Sequence, residues 1–210
     1  AFITVDEAGQ NTILVYGGAN MTLSATDVEM SVDAFIGADF VVAQLEVPFE
    51  AIEQAFKIAR KQNITTVLNP APAIELPKSL LELTDIIIPN ETEAELLTGI
   101  SINNESDMKE TATYFLDLGI SAVLITLGEQ GTYCAYQEQY KMIPACNVKA
   151  IDTTAAGDTF IGAFLSELNK DLSNLESAIR LANQASSLTV QRKGAQASIP
   201  TRKEVEAEYN

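Results

Sequence analysis

Histidine is absent from this sequence, and so is tryptophan. Without histidine, Ser-His and Cys-His nucleophilic arrangements are excluded, and general-base work falls to a carboxylate. Cysteine is scarce: only Cys134 and Cys146 occur, in apolar surroundings and without the spacing of a metal-ligand set. Small buried thiols in a reducing compartment are the expectation, which points to the cytoplasm. Cationic side chains are few, 13 Lys and Arg against 29 Asp and Glu, for a net charge of −16. That balance argues against nucleic acid or an anionic membrane surface as partner. It also means that a bound phosphate needs backbone amides and a metal ion. No run of about 18 apolar residues is present, so no membrane-spanning segment is expected. The opening AFITVDEAGQ lacks a basic region followed by an apolar one, so it does not read as a signal peptide. It also lacks an initiating methionine and enters directly on a strand-like pattern, as a processed chain or a piece of a longer one would.

What is present is an ordinary globular composition, 47% hydrophobic over 210 residues, enough for one domain with a full core. The segments FITVD and NTILVY, separated by EAGQ, predict a hairpin. An amphipathic stretch near TDVEMSVDAFIGA leads to the apolar run FVVAQL at 40–45 and then to a helix presenting Phe49, Ile52, Phe56 and Ala59 on one face. The strand TTVLN (65–69), the loop PAPA, a short helix near LPKSLLEL and the strand DIIIP (85–89) follow. A helix from Glu91 to Thr98 stops at Gly99, and another covers roughly 106–118. After the strand AVLITL (122–127), TYCAY and QYKMI predict a second hairpin. The remainder reads as VKAID, a helix after Asp158, a longer helix over 174–190, a KGAQ loop and a terminal helix.

Strands that are continuous apolar runs, alternating with helices, predict an α/β fold: a mostly parallel sheet with helices on both faces, spanning 1–210 as a single domain. In such sheets ligands sit beyond the carboxyl ends of the strands. The stretches at those ends are LEVP, NPAPA, PNETE, TLGEQG and DTTAAGD.

DTTAAGD carries the sharpest chemistry. Ala155, Ala156 and Gly157 lack bulk, so backbone can approach a ligand closely. Helix formers begin at Asp158, and free N–H groups near 156–159 would converge as an anion hole at the positive end of the helix dipole. A carboxylate in the same turn, beside a bound phosphate, suits removal of a proton from an attacking hydroxyl. The spacing is equally compatible with Asp158 as a plain helix cap.

The segment D-T-T-A-A-G-D-T-F-I-G-A resembles the C-terminal signature of the ribokinase-like carbohydrate kinases, also called the phosphofructokinase-B family. NPAPA (69–73), PNETEAELLTG (89–99), ITLGEQG (125–131) and RKGAQASIP (192–200) resemble further family motifs in the same order, so the likeness covers essentially the whole chain. It implies ATP-dependent phosphorylation of a sugar hydroxyl, with Asp158 as catalytic base and Gly157 and its neighbours as the anion hole. Asn90 and Glu93 fall on the family's N-x-x-E motif, which organises Mg²⁺ and the phosphates largely through water. Thr126, Leu127, Gly128, Glu129, Gln130 and Gly131 resemble the nucleotide-binding loop, and Asn183 matches a position lining the adenine pocket. Glu46 matches a sugar contact. Asp152, Thr154, Thr189, Arg192, Gly194 and Ser198 match a K⁺ site built mostly from backbone carbonyls. RKGAQ and NPAPA favour D-ribose as the acceptor, and a homodimer is left open.

Several of these residues also have plainer readings. Asn90 and Glu93 form a capping box, and the two roles are compatible. Gly128 and Gly131 suit a hairpin turn. Asn183 suits a solvated helix face, Glu46 a surface charge, and Lys193-Gly194 a helix end. Many family members carry Gly-Ala-Gly-Asp where this chain has Ala155-Ala156-Gly157-Asp158. The family's opening glycine-rich strand and G-G-x-x-x-N motif, which hold the sugar, have no counterpart, and GGAN at 17–20 is no substitute. The expectation is therefore an N-terminally truncated ribokinase-like domain that keeps the nucleotide side and the base. Kinases of fructose or a nucleoside, and a catalytically silent nucleotide-binding fragment, remain as alternatives.

Overall fold

The computed structural model describes residues 2–5, 11–14 and 16–209. The chain opens with β1 (Phe2–Val5) paired antiparallel to β2 (Asn11–Leu14), the expected first hairpin; its linking residues 6–10 lie outside the described residues. Then comes α1 (Ala25–Met30), closed at its start by Ser24 and Asp27 in a reciprocal capping box.

A six-stranded sheet forms the frame. Its strands follow chain order: β3 (Phe40–Ala43), β4 (Thr65–Leu68), β5 (Ile86–Ile87), β6 (Ala122–Thr126), β7 (Thr132–Tyr136) and β8 (Gln139–Ile143). Strands β3 to β6 are parallel, and β7 and β8 return as the antiparallel second hairpin. The parallel strands are joined by α2 (Phe49–Lys61), α3 (Lys78–Leu81), and the pair α4 (Glu91–Thr98) and α5 (Glu105–Asp117). After the sheet come α6 (Ala156–Glu167), α7 (Leu175–Thr189) and α8 (Arg202–Tyr209). Among the described residues no helix is long and apolar enough to cross a membrane.

Period-two alternation sends successive side chains of a strand to opposite faces. Along β6, Ala122 and Leu124 pack with Phe160, Phe164, Ala178 and Ile179 of α6 and α7. Val123 and Ile125 pack with Ala94, Ala112 and Phe115 of α4 and α5. Both faces are therefore covered, which is why the strand reads as unbroken apolar sequence. Helix α2 buries Ile52, Phe56 and Ala59 on the face expected. Ile52 and Phe56 each contribute about 1.5–3 kcal/mol of burial.

Strand β5 is shorter than DIIIP suggests. Its neighbours continue the pairing by single bonds, Asp85 N–H to the Thr66 carbonyl (3.1 Å) and Ile88 N–H to the Leu68 carbonyl (2.9 Å). Helix α6 begins two residues ahead of Asp158. Thr153 accepts from the Ala156 amide at 3.2 Å, and Ala155 at φ 62° turns the chain into the helix. Alanine seldom takes a left-handed conformation, so nothing in the sequence signals that start.

Candidate active site

The carboxyl ends of β5 and β6 meet through a bridge between Asn90 and Thr126, with the Thr126 amide donating to the Pro89 carbonyl at 2.9 Å. Beside them lie the loop after β6, the segment leaving β8, the first turn of α6 and one face of α7. Together they enclose a cleft of about 1020 Å³. It brings together Asn90, Glu93, Thr126, Gly128, Glu129, Gln130, Gly131, Gly157, Asp158 and Asn183. No Lys or Arg lines it among the described residues. An anionic ligand there must rely on amides and on cations it brings with it.

Asp158 lies in the first turn of α6 and is exposed. Among the described residues its carboxylate has no hydrogen-bond or ion-pair partner, and the cap position belongs to Ala155, which makes no side-chain cap. The capping alternative for Asp158 therefore fails, and its carboxylate stands unengaged at the cleft. The amides of Gly157 and Asp158 also lack partners among the described residues, as helix-start donors do. A Cβ placed on Gly157 would meet nothing within 4 Å beyond its chain neighbours and its own helix backbone, and Gly157 lines the cleft.

Asn90 and Glu93 form the reciprocal capping box of α4. The Asn90 side-chain oxygen accepts from the Glu93 amide at 2.8 Å, and Glu93 accepts from the Asn90 amide (2.8 Å) and from Asn90 Nδ2 (2.9 Å). Glu93 is 6% exposed, and burial pushes its carboxyl above the usual range. In the loop after β6, Gly128, Glu129 and Gln130 form a single tight turn, and Gly131 closes it, its carbonyl accepting from the Leu127 amide at 2.8 Å. The Leu127 side chain is buried in the core with Met108 and Phe115, away from the cleft.

Asn183 is not a solvated helix residue. It is 6% exposed; its oxygen accepts from Thr132 Oγ1 at 3.0 Å, and its Nδ2 donates to the carbonyls of Ile143 (3.1 Å) and Pro144 (3.2 Å). All of these bonds hold the base of the β7–β8 hairpin against α7. Glu46 is exposed after the edge strand β3 and lies outside the cleft; its amide donates to Gln44 Oε1 at 2.6 Å.

Asp152, Thr154, Thr189, Arg192, Gly194 and Ser198 also lie outside the cleft lining, yet they are tied to its α6 wall. Asp152 accepts from the Gly194 amide (2.9 Å) and the Thr154 amide (3.0 Å), and these bonds hold its carboxyl down to about 2. Thr189 Oγ1 donates to Thr159 Oγ1 at 3.1 Å, Ser198 Oγ to the Ala195 carbonyl at 2.6 Å, and Arg192 pairs with Glu204 at 2.8 Å. With the side chains so engaged, a cation at these loops would draw mainly on carbonyls. Among the described residues no group of three or more Asp, Glu or Cys is placed to hold a metal ion.

Sequence reasoning gave no role to Asn69, although it placed NPAPA at a strand end, and left out the segment from Ala145 to Val148 and Ser186. Asn69 donates to the Ile88 carbonyl at 2.9 Å. Ser186 was reachable, being three residues beyond Asn183 on the same helical face. Of the two cysteines, Cys134 is buried and its thiol is pushed up to about 12 by burial, whereas Cys146 is half-buried and lines the cleft.

Residues 1–202 match the family described as pfkB family carbohydrate kinase. A ribokinase of Staphylococcus aureus is 65% identical over 205 residues, 98% of this chain and 67% of its own length. A deoxyribokinase of Salmonella typhi is 34% identical over 95% of this chain and 65% of its own. Among solved structures, Arabidopsis thaliana ribokinase complexed with ribose and ATP superposes with a TM-score of 0.86 at 32% identity, covering 98% of this chain and 67% of that one. The chain spans about two thirds of the length of these relatives.

Proposed function

Because this chain belongs to the pfkB family of carbohydrate kinases, we propose that it carries the phosphoryl-transfer machinery of a kinase that moves the γ-phosphoryl group of ATP to the terminal hydroxyl of D-ribose. One observation carries the reading: an unpartnered carboxylate, Asp158, stands in the same helix turn as the unpartnered amides of Gly157 and Asp158, at the wall of the large cleft. The Asp158 carboxylate takes the proton of the ribose hydroxyl as its oxygen attacks the γ-phosphorus. The bond from that phosphorus to the β–γ bridging oxygen breaks, and ADP leaves with the electron pair. The two amides meet the negative charge spread over the transferring oxygens, which is where most catalysis of this step lies. The loop from Gly128 to Gly131, seated by Asn183, receives the nucleotide.

Magnesium, arriving with ATP, supplies charge neutralisation on the β- and γ-phosphates. Asn90 and Glu93 would face its waters; the near-complete use of Glu93 by Asn90 suits contact through water rather than direct ligation. Ribose as acceptor is supported by the 65% identical ribokinase. In a test with the intact gene product, ATP and Mg²⁺, ribose 5-phosphate should form one for one with ADP. Fructose and adenosine should be poorer by about 10-fold or more in kcat/KM, since a site built on hydroxyl contacts rejects mismatched alcohols. ADP release without sugar phosphate, or faster transfer to either competitor, overturns the assignment.

A monovalent cation at the loops 152–154 and 189–198 belongs to the same reading. These loops abut the first turn of α6, so ordering them around K⁺ steadies the anion hole. Turnover should rise severalfold when K⁺ replaces Li⁺ at constant ionic strength, because Li⁺ holds its water too tightly to accept a cage of carbonyls. Equal rates in the two salts would remove the cation from the mechanism.

A further inference from the structure

Helix α7 turns one polar face to the cleft, with Asn183, Ser186 and Ser187 among its lining residues. Asn183 grips the nucleotide-side hairpin. One turn further on, Ser186 Oγ donates to the carbonyl of Ala156 at 2.9 Å. That carbonyl sits in the first turn of α6. It has two lone pairs; the helix ladder takes one, and Ser186 takes the other.

The Ala156 carbonyl and the Gly157 N–H belong to one peptide group, which is planar and trans. They point in opposite directions, so fixing the carbonyl fixes the aim of the amide. The Gly157 amide is one of the two unpartnered donors in this turn. Donation to the carbonyl also polarises the peptide and strengthens its N–H as a donor. The turn needs such support. Ala155 sits at φ 62°, a conformation that costs a non-glycine residue on the order of 1 kcal/mol and persists only where surrounding contacts over-determine it.

We propose that Ser186 is a positioning residue for phosphoryl transfer: its hydroxyl locks the Ala156–Gly157 peptide so that the Gly157 amide meets the transferring phosphoryl group. The proposal rests on the kinase reading of the cleft. Ser186 acts through the peptide and makes no bond to substrate in this role, so its effect belongs on kcat and on binding of a transition-state mimic, with KM little changed.

The test compares Ser186→Ala and Ser186→Thr with wild type in the intact gene product. Measured are kcat, KM for ATP and ribose, Tm, and the affinity for ADP with aluminium fluoride, a mimic of the transferring phosphoryl group. For Ser186→Ala, kcat should fall about 10-fold, less than loss of a direct oxyanion donor, and the mimic should bind weaker by a similar factor. Both KM values should stay within about twofold, and Tm within about 2 °C, as for one part-exposed hydrogen bond. Ser186→Thr keeps the hydroxyl and should recover most of the loss. An active wild type with an unaffected Ser186→Ala overturns the proposal alone. So does a loss of kcat that tracks a fall in Tm or is not recovered by threonine, since either marks a purely structural bond. A wild type that makes no sugar phosphate removes the kinase reading and the proposal with it.

Discussion

Replacing Asp158 by asparagine is expected to lower kcat by about 10²–10⁴ while leaving nucleotide affinity within a few fold. The side chain keeps its size and loses only its ability to take the proton. Competing effects are small by comparison. The carboxylate has no hydrogen-bond partner among the described residues to lose. Removing a negative charge from the first turn of a helix costs about 0.3–1 kcal/mol of stability. The kinetic loss corresponds to roughly 3–5 kcal/mol of transition-state stabilisation, so catalysis dominates. Steady-state rates with ATP and ribose, set beside calorimetric titration of nucleotide, separate the two. Turnover within threefold of wild type would falsify the role of base.

How far the fold and the lining of this cleft are legible in the sequence differs from residue to residue. Strand β6 could be read because both faces of the sheet are covered there, so Ala122 to Ile125 form an uninterrupted apolar run. The capping box of Asn90 and Glu93 could be read because it is a local pattern, and the structure contains it. The start of α6 could not, because it depends on Ala155 in a left-handed conformation that the residue type disfavours. Neither could the burial of Asn183. Its partners, Thr132, Ile143 and Pro144, lie 39 to 51 residues away in the chain, and only the packing of α7 against β8 brings them together. Leu127 shows the converse: a motif position whose side chain belongs to the core while its backbone shapes the loop. Of the six residues matched to a cation site, Asp152 bonds to Thr154 and Gly194, and the Arg192 amide to the Thr189 carbonyl; a site built on carbonyls would leave no side-chain pattern to read.

Gly131→Ala is expected to give the largest loss of stability at any single position of the nucleotide loop. Gly131 has φ 111° and ψ −135°, a region open essentially to glycine alone. A Cβ there would run into the carbonyl oxygen of Ile143 and the backbone of Pro144 and Ala145. These are main-chain atoms, so no side chain can swing aside to make room. Backbone strain of about 1–3 kcal/mol combines with overpacking of similar size. The sum is a large fraction of the roughly 5–15 kcal/mol that holds a domain folded. If the loop yields instead of the fold, both segments that move line the cleft, and nucleotide affinity falls with them. Gly157→Ala supplies the control. A Cβ there meets open space, in a helical conformation where alanine is favoured over glycine by about 0.5–1 kcal/mol, so stability should hold or rise. What it occupies is the space beside the Gly157 and Asp158 amides, and turnover should fall while the urea midpoint does not. A Gly131→Ala protein with an unchanged urea midpoint and unchanged ATP affinity would mean that the backbone around Ile143 is not held as described.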